Sequence, residues 1–232
     1  MTLNEAIKAR HSVRRYTDEP IPEETREILR NKIGEINRET GLNIQLVTDE
    51  PKAFNGLFIS SYGQFSGVRN YLVMAGPKGK EIEEKIGYYG EVLVLLAQTL
   101  GLNTCWVGLT YKKIPGAFTL REGDWVHCVI SIGYGQTQGT GHKVKSVQDV
   151  SNVSELTPEW FRKGIDAALL APTAVNQQKF RFEYLEAGGL LPKVSAKPLF
   201  TMIGYGRIDL GIVKYHFELG AGKEHFEWEI PC

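Results

Sequence analysis

The sequence predicts an α+β fold in which a mixed, largely antiparallel sheet is flanked by helices. Two observations support this prediction. Segments with apolar residues at helical spacing occur between short apolar runs along the 232-residue chain. Several of these short runs follow one another without a helix between them, which favours antiparallel strands over parallel βαβ units. The length suits a single domain, residues 1–232, with a buried core.

The first elements have clear start and stop signals. Thr2-Leu3-Asn4-Glu5 has the form of a capping box, so a short helix should begin here and end near Arg10. Pro22 opens a second helix, and Gly41 ends it. The stretch that follows is predicted to form two strands, at residues 43–48 and 70–75. A loop region with one helical turn, residues 51–67, should separate them.

The longest predicted helix covers residues 80–100. Its second half is almost entirely apolar, so it should be buried on most sides, and Gly101 is a natural residue to follow its end. Three further segments are expected to be an extended stretch, a short helix and a buried strand: residues 104–108, 112–118 and 126–132.

The C-terminal third begins after a turn rich in glycine, threonine and glutamine at residues 133–141. Thr157 is expected to cap a helix over residues 158–170. Pro172 disfavours the helical conformation at Ala171 and should end that helix. The remaining elements are predicted as two strands, a helix and a short final strand: residues 180–185, 199–203, 207–219 and 225–230.

Two strand-like segments resemble each other. Residues 129–135 and 200–206 are both apolar and both end in Ile-Gly-Tyr-Gly. The similarity predicts a diverged internal duplication with halves at about residues 1–145 and 155–232. Chance similarity between two buried strands that end in glycine turns is the alternative.

Composition excludes several classes of protein. The chain has 27 basic and 27 acidic residues, so it lacks the charge excess of a general nucleic-acid or anionic-membrane binder. Three cysteines without a CxxC motif predict thiols in a reducing compartment. The five histidines lack metal-ligand spacing, so no metal is expected. Because no apolar run is long enough for a signal peptide or a membrane span, we expect a soluble cytoplasmic protein.

Two short segments carry groups suited to ligand binding. In an extended backbone Arg10, Ser12 and Arg14 share one face, and two guanidinium groups beside a hydroxyl can bind a phosphate. A solvated basic helix end is the alternative. Asn176 and Gln178 can bind the polar edge of a flat heterocycle, because each amide offers donors and an acceptor. An ordinary polar turn is the alternative there.

These segments resemble the nitroreductase family, whose members are FMN-dependent NAD(P)H oxidoreductases. Residues 10–16 are similar to its Arg-x-Ser-x-Arg-x-aromatic signature, and residues 171–178 to its Ala-Pro-Ser-x-x-Asn-x-Gln motif. Residues 96–108 resemble the central helix of the family with the loop after it, and residues 129–134 resemble a strand that ends in Gly-Tyr.

The chain also departs from the family pattern. The second motif begins far from the first, and residues 58–67 occupy its usual place. Lys179-Phe180 replaces the usual Pro-Trp. Ordinary members are homodimers whose flavin sites use both subunits, whereas a single-chain subgroup mimics that dimer. The resemblance therefore implies one FMN per chain and favours a monomer, with a homodimer as the alternative.

The resemblance also implies roles for individual residues. Arg10 and Ser12 would hold the FMN phosphate and ribityl chain, and Arg14 would lie near the pyrimidine end of the ring, where a positive charge stabilises the reduced flavin. The other residues expected to bind the cofactor are His11, Thr104, Cys105, Trp106, Val107, Gly108, Pro172, Thr173, Asn176 and Gln178. Lys143 or Lys145 would complete the phosphate site, unless both lie in a solvated loop.

The expected reaction passes a hydride from NADH or NADPH through the flavin to a small flat acceptor, such as a nitroaromatic or a quinone. No side chain needs to act as a nucleophile, because the cofactor carries the chemistry. The alternative is a flavin- or ligand-binding protein without significant turnover. Tyr62, Phe65, Tyr88 and Tyr89 are candidates for a lid over the ring, with core packing as the alternative.

Overall fold

The computed structural model describes residues 1–54, 64–185 and 190–229, in which helices surround two β-sheets. The helices are α1 (Leu3–Ala9), α2 (Glu23–Thr40), α3 (Lys80–Thr99), α4 (Val147–Val150), α5 (Glu159–Leu169) and α6 (Gly206–Ala221). The strands are β1 (Gln45–Val47), β2 (Asn70–Gly76), β3 (Asn103–Val107), β4 (Trp125–Gly133), β5 (Phe180–Leu185), β6 (Lys193–Pro198) and β7 (Glu227–Trp228). The predicted α+β class is confirmed.

The larger sheet has the strand order β1-β2-β4-β3, and all its neighbouring strands are antiparallel. Its central strands β2 and β4 are apolar and mostly buried, as expected for strands covered on both faces. The smaller sheet has the order β5-β6-β7, in which β5 and β6 are antiparallel and β6 and β7 are parallel. The larger sheet is therefore antiparallel and the smaller one mixed, in agreement with the largely antiparallel arrangement that the sequence predicted.

Helix ends follow the local sequence signals. The Thr2 side chain accepts a hydrogen bond from the Glu5 amide at 3.3 Å, and the Glu5 carboxylate accepts one from the Thr2 amide at 2.8 Å. This capping box fixes the start of α1. Helix α2 begins directly after Pro22 and ends at Gly41, whose φ of 74° lies in the left-handed region that glycine adopts without strain.

Helices α3 and α6 cross with their backbones in close contact. A Cβ atom on Gly87 of α3 would lie 1.9 Å from the Ile208 carbonyl oxygen, and one on Gly211 of α6 would lie 2.0 Å from the Glu84 carbonyl oxygen. Only glycine permits this approach. The largest cluster of buried apolar side chains joins these two helices to α5 and to both sheets. The crossing thereby fixes the position of the N-terminal turns of α6.

Three predicted elements need correction. The predicted strand 199–203 is wrong, because β6 ends at Pro198 and the apolar side chains of the next residues are exposed instead of buried in a sheet. The predicted helix 112–118 is a turn, since Pro115 disfavours a helix and Gly116 has a φ of 81°. Thr157 does not cap α5: its hydroxyl donates to the Ser154 carbonyl, and Pro158 is the N-cap.

The predicted duplication stays a prediction. The two Ile-Gly-Tyr-Gly segments differ in structure, because the first ends β4 and the second lies in the loop that leads into α6. The order helix, two antiparallel strands, helix, strand nevertheless occurs twice, as α2-β1-β2-α3-β3 and as α5-β5-β6-α6-β7. A duplication would therefore pair α3 with α6, in a different alignment from the one that the sequence motif indicated.

Some predictions fall on residues outside the described ranges. These are part of the loop at 51–67, the lid candidate Tyr62, the end of the predicted strand 225–230 and the thiol of Cys232. Within the described ranges, no helix combines the length and hydrophobicity that crossing a bilayer requires.

Candidate active site

One cavity of about 520 Å³ brings the two sequence motifs together, although they lie far apart along the chain. A volume of this size is typical of small-molecule sites. Eleven of the fifteen predicted residues line it: Arg10, His11, Ser12, Arg14, Cys105, Trp106, Val107, Gly108, Pro172, Thr173 and Asn176. The remaining wall includes residues of the loop before α6 and of the first turns of that helix, together with residues 109–110 and 140–142.

The first motif runs alongside β3 in an extended conformation. The Val13 amide donates to the Thr104 carbonyl at 3.0 Å, and Ser12 and Thr104 form an isolated parallel bridge. Val13 is buried in the core, whereas Ser12 and Arg14 face the cavity, as the predicted alternation requires. Thr104 itself is buried and does not line the cavity, so it supports the motif from behind.

Arg10 belongs to a buried polar cluster beneath the cavity. Glu91 of α3 is fully buried and accepts hydrogen bonds from Trp106 Nε1 at 2.9 Å and from His216 Nε2 at 2.8 Å. Arg10 Nε lies 3.9 Å from the same carboxylate. Glu91 therefore fixes both Arg10 and Trp106, two lining residues on different segments.

His216 joins this cluster to α5. Its Nδ1 lies 3.1 Å from the Ala167 carbonyl oxygen, and its Nε2 lies 2.8 Å from the Glu91 carboxylate. Neither Glu91 nor His216 was predicted. The sequence signal for Glu91 was its position as one acidic residue directly before the apolar half of α3.

The second motif adopts a strained backbone. Val175, Asn176 and Gln178 have φ values of 46°, 55° and 45°, and non-glycine residues rarely adopt this region without a compensating interaction. Thr173 Oγ1 accepts from the Gln178 amide at 3.0 Å and helps to hold the loop in this shape.

The amide side chains of this loop bind protein groups. Asn176 and Gln178 each donate to the Lys143 carbonyl at 2.8 Å, and Gln178 Oε1 accepts from the Lys145 amide at 2.9 Å. Lys145 Nζ in turn donates to the Gln178 carbonyl at 2.7 Å. Gln178, Lys143 and Lys145 lie outside the cavity lining and join two loops, so their predicted contacts with the cofactor stay predictions.

Asp209 in α6 is a lining residue that the sequence did not predict. Its carboxylate accepts hydrogen bonds from the Ala174 amide at 2.9 Å and from Gln177 Nε2 at 2.6 Å. Burial raises the pKa of Asp209 to about 6, although these two hydrogen bonds act in the opposite direction. The signal in the sequence for Asp209 was a single acid between apolar residues near the start of the helix.

Two buried thiols also line the cavity. Burial raises the pKa of the Cys105 thiol, and it also raises the pKa of the Cys128 thiol, to which nearby Asp209 adds. Both groups are therefore neutral near pH 7 and weak nucleophiles.

The charged lining residues favour an anionic ligand. Arg14 is half-buried, and no ion pair or hydrogen bond within the described residues engages its guanidinium group. Burial lowers the pKa of His11, with smaller contributions from Arg10 and His142. Asp209 is the one carboxylate of the cavity lining within the described residues. Those residues also contain no cluster of side chains suited to a metal ion.

Comparison with known proteins identifies the family. The family model described as "Putative TM nitroreductase" matches residues 2–221. This chain belongs to the nitroreductase family. No curated protein matches the sequence. Among solved structures, a protein of Thermotoga maritima named as a nitroreductase has a TM-score of 0.64 and 23% identity, covering 97% of this chain and 85% of its own.

Two shorter nitroreductases share the fold over part of the chain. A protein of Desulfovibrio desulfuricans, solved in complex with FMN, has a TM-score of 0.51 and 20% identity and covers 68% of this chain and 99% of its own. A protein of Bacteroides thetaiotaomicron, named as an NADH dehydrogenase/NAD(P)H nitroreductase, has a TM-score of 0.50 and 17% identity and covers 64% of this chain and 95% of its own. Nearly the whole of each shorter protein thus corresponds to about two thirds of this chain.

Proposed function

We propose that the protein binds one FMN in this cavity and is an FMN-dependent oxidoreductase. The observation that carries the proposal is that residues 10–14 and 172–176, which carry the two flavin motifs of the family, line the same cavity. The FMN complex of the Desulfovibrio desulfuricans nitroreductase, which shares the fold, adds support.

The residues of the cavity fit this cofactor. The Arg14 guanidinium group has no hydrogen bond or ion pair within the described residues, and Arg10 Nε is buried there without a hydrogen-bond acceptor. Both groups suit an anionic ligand such as a phosphate or a reduced flavin. The apolar side chains of Val107, Ile208 and Ile212 offer a surface for a flat ring. A predominantly apolar wall with a few polar groups is the usual composition of a cofactor site.

Each residue then has a defined task. Bound FMN supplies the two-electron hydride chemistry. Arg14 places a fixed positive charge in the cavity, which favours ligands that become more negative on reduction. Glu91 holds Arg10 and Trp106 in place, and Asp209 holds the strained loop through Ala174 and Gln177.

We further propose NADH or NADPH as the hydride donor and a small flat quinone or nitroaromatic as the acceptor. The name of the Bacteroides thetaiotaomicron protein, which includes both nicotinamide cofactors, supports this choice of donor. For a quinone, the nicotinamide loses a hydride and the acceptor gains two electrons and two protons, one delivered with the hydride and one from water. The product is the hydroquinone.

The test is to purify the protein, saturate it with FMN, desalt it and record the visible spectrum. We expect about one FMN per chain. Rapid anaerobic bleaching by NADH or NADPH, followed by turnover with a quinone or nitrofurazone, would support the full reaction. A protein that retains FMN but is reduced only over hours would instead be a flavin-binding protein without turnover. A protein that stays colourless would contradict the proposal as a whole.

A further inference from the structure

Five exposed apolar side chains lie at or beside the opening of the cavity. We call them the apolar collar: Leu109, Val175, Phe200, Met202 and Ile203. Phe200 and Met202 are 86% and 92% exposed, far more than large apolar residues in most soluble proteins. A group of exposed apolar side chains at the opening of a cavity is a candidate binding surface.

The apolar collar is continuous with the cavity. Leu109, Val175 and Ile203 belong both to the exposed surface and to the lining, and Phe200 and Met202 flank Ile203 in one loop. The wall that continues inward from this loop includes Ile208 and Ile212 of α6. The wall from this loop inward is therefore largely apolar, with Asp209 as its charged member.

The loop that carries Phe200 and Met202 is held in place by polar contacts. Gln177 of the second motif accepts a hydrogen bond from the Thr201 hydroxyl and donates to the Gly204 carbonyl at 3.4 Å. The Leu199 amide donates to the Lys179 carbonyl at 2.9 Å. Since the loop is fixed while its large side chains remain in solvent, their exposure is a property of the fold.

We infer that the acceptor of this enzyme carries an apolar tail, which lies on the apolar collar while its flat head enters the cavity. The chemical class is a quinone with an alkyl or prenyl substituent. The inference rests on the proposed function and narrows its acceptor. The reaction is unchanged: the quinone head takes up a hydride and a proton to become the hydroquinone, the nicotinamide is oxidised, and the tail makes contacts only.

The loop that carries most of the apolar collar also has no charged side chain that could pair with a charged tail. The positively charged lining residues, Arg10 and Arg14, come from the first motif, whereas the loop of residues 199–205 contributes no charged side chain. An apolar tail has no charged groups whose hydration would be lost on this surface. Its burial would release water from the tail and from the apolar collar.

The experiment compares two acceptors with the same head on FMN-loaded protein. These are 2,3-dimethoxy-5-methyl-1,4-benzoquinone and its 6-decyl derivative, both kept below their solubility limits. We expect kcat/KM to rise by about tenfold or more with the decyl tail, mainly through KM, because apolar surface is removed from water. Binding of the two hydroquinones, followed by the change in total tryptophan fluorescence, gives a readout that does not depend on turnover.

Variants test whether the effect of the tail on kcat/KM arises at the apolar collar. The Phe200→Ser/Met202→Ser double variant should reduce the ratio of kcat/KM between the tailed and tailless acceptors towards one. Leu156→Ser is the matched control, because Leu156 is 94% exposed but does not line the cavity, and this variant should keep the wild-type ratio. The ratio is insensitive to general losses of folded protein, so a partly unstable variant still gives an answer.

Failure of the inference can be distinguished from failure of the proposed function. If neither quinone is reduced, the proposed function itself fails. If both quinones are reduced but the tail does not raise kcat/KM, or if the double variant keeps the higher kcat/KM, the inference is overturned and the proposed function stands. Sedimentation velocity adds one further outcome: a dimer that Phe200→Ser dissociates would mean that a second chain covers the apolar collar, which would also overturn the inference.

Discussion

Arg14 and Arg15 are neighbours in the sequence but lie in different environments. Arg14 lines the cavity and has no ionic partner within the described residues, whereas Arg15 is exposed and outside the lining. We expect Arg14→Gln to weaken FMN binding by about tenfold to a hundredfold, the scale of a charge-assisted hydrogen bond, and to lower the flavin reduction potential. Arg15→Gln should change neither. Fluorescence titration of the apoprotein with FMN, and redox titration of the loaded protein, would measure both effects; equal results for the two variants would remove Arg14 from the site.

Asp209 should make stability depend on pH. Its pKa in the folded protein, about 6, lies above its ordinary value of 3.8, so its stabilising contribution is fully present below pH 3.8 and is lost as pH rises through 6. Relative to Asp209→Asn, the wild-type free energy of unfolding should therefore fall by about 2–3 kcal/mol between pH 4 and pH 8. Urea unfolding of both proteins at several pH values measures this difference. A difference that stays constant with pH would contradict the raised pKa.

At the residue scale, the sequence predicted groups that belong to one short motif better than groups that meet only in the fold. Arg10, Ser12 and Arg14 were predicted from their spacing and line the cavity. Glu91 and Asp209 were missed, because their partners lie in other parts of the chain and no local pattern contains both members. Other assignments of individual residues to the cofactor remain predictions that the FMN titrations test.

Elements were predictable where local chemistry fixes their ends. The capping box at Thr2 and the glycine at residue 41 placed the ends of α1 and α2 to within two residues. The strand expected at 199–203 failed for a physical reason: its apolar residues satisfy the pattern of a buried strand, but in the fold they face solvent. Hydrophobic pattern alone does not distinguish a buried strand from an exposed binding surface.

The crossing of α3 and α6 gives a prediction at the scale of elements. Gly87→Ala and Gly211→Ala should each destabilise the protein by about 1–3 kcal/mol, because the added methyl groups would displace a backbone carbonyl of the other helix. Gly34→Ala in α2 is the matched control. Its methyl group would meet only Arg38 at 3.5 Å, so this variant should be stabilised by about 0.5–1 kcal/mol. Thermal and urea unfolding would reveal the opposite signs; a stabilised Gly87 or Gly211 variant would rule out the close crossing.

At the scale of the whole molecule, one chain supplies both motif segments of the cavity. We therefore expect the FMN-loaded protein to sediment as a monomer with about one FMN per chain. Its FMN dissociation constant should also stay the same over about a hundredfold range of protein concentration. An affinity that rises with protein concentration would show that a second chain completes the site.

The separation of the two motifs along the chain has a consequence for biosynthesis. Residues 10–14 are translated about 200 residues before Asp209 and Ile212, which lie in the opposite wall of the cavity. If the proposed function holds, a nascent chain cannot take up FMN until α6 has been translated. Products that stop before α6 should be colourless, so the yellow colour of a preparation would report the fraction of chains that contain α6.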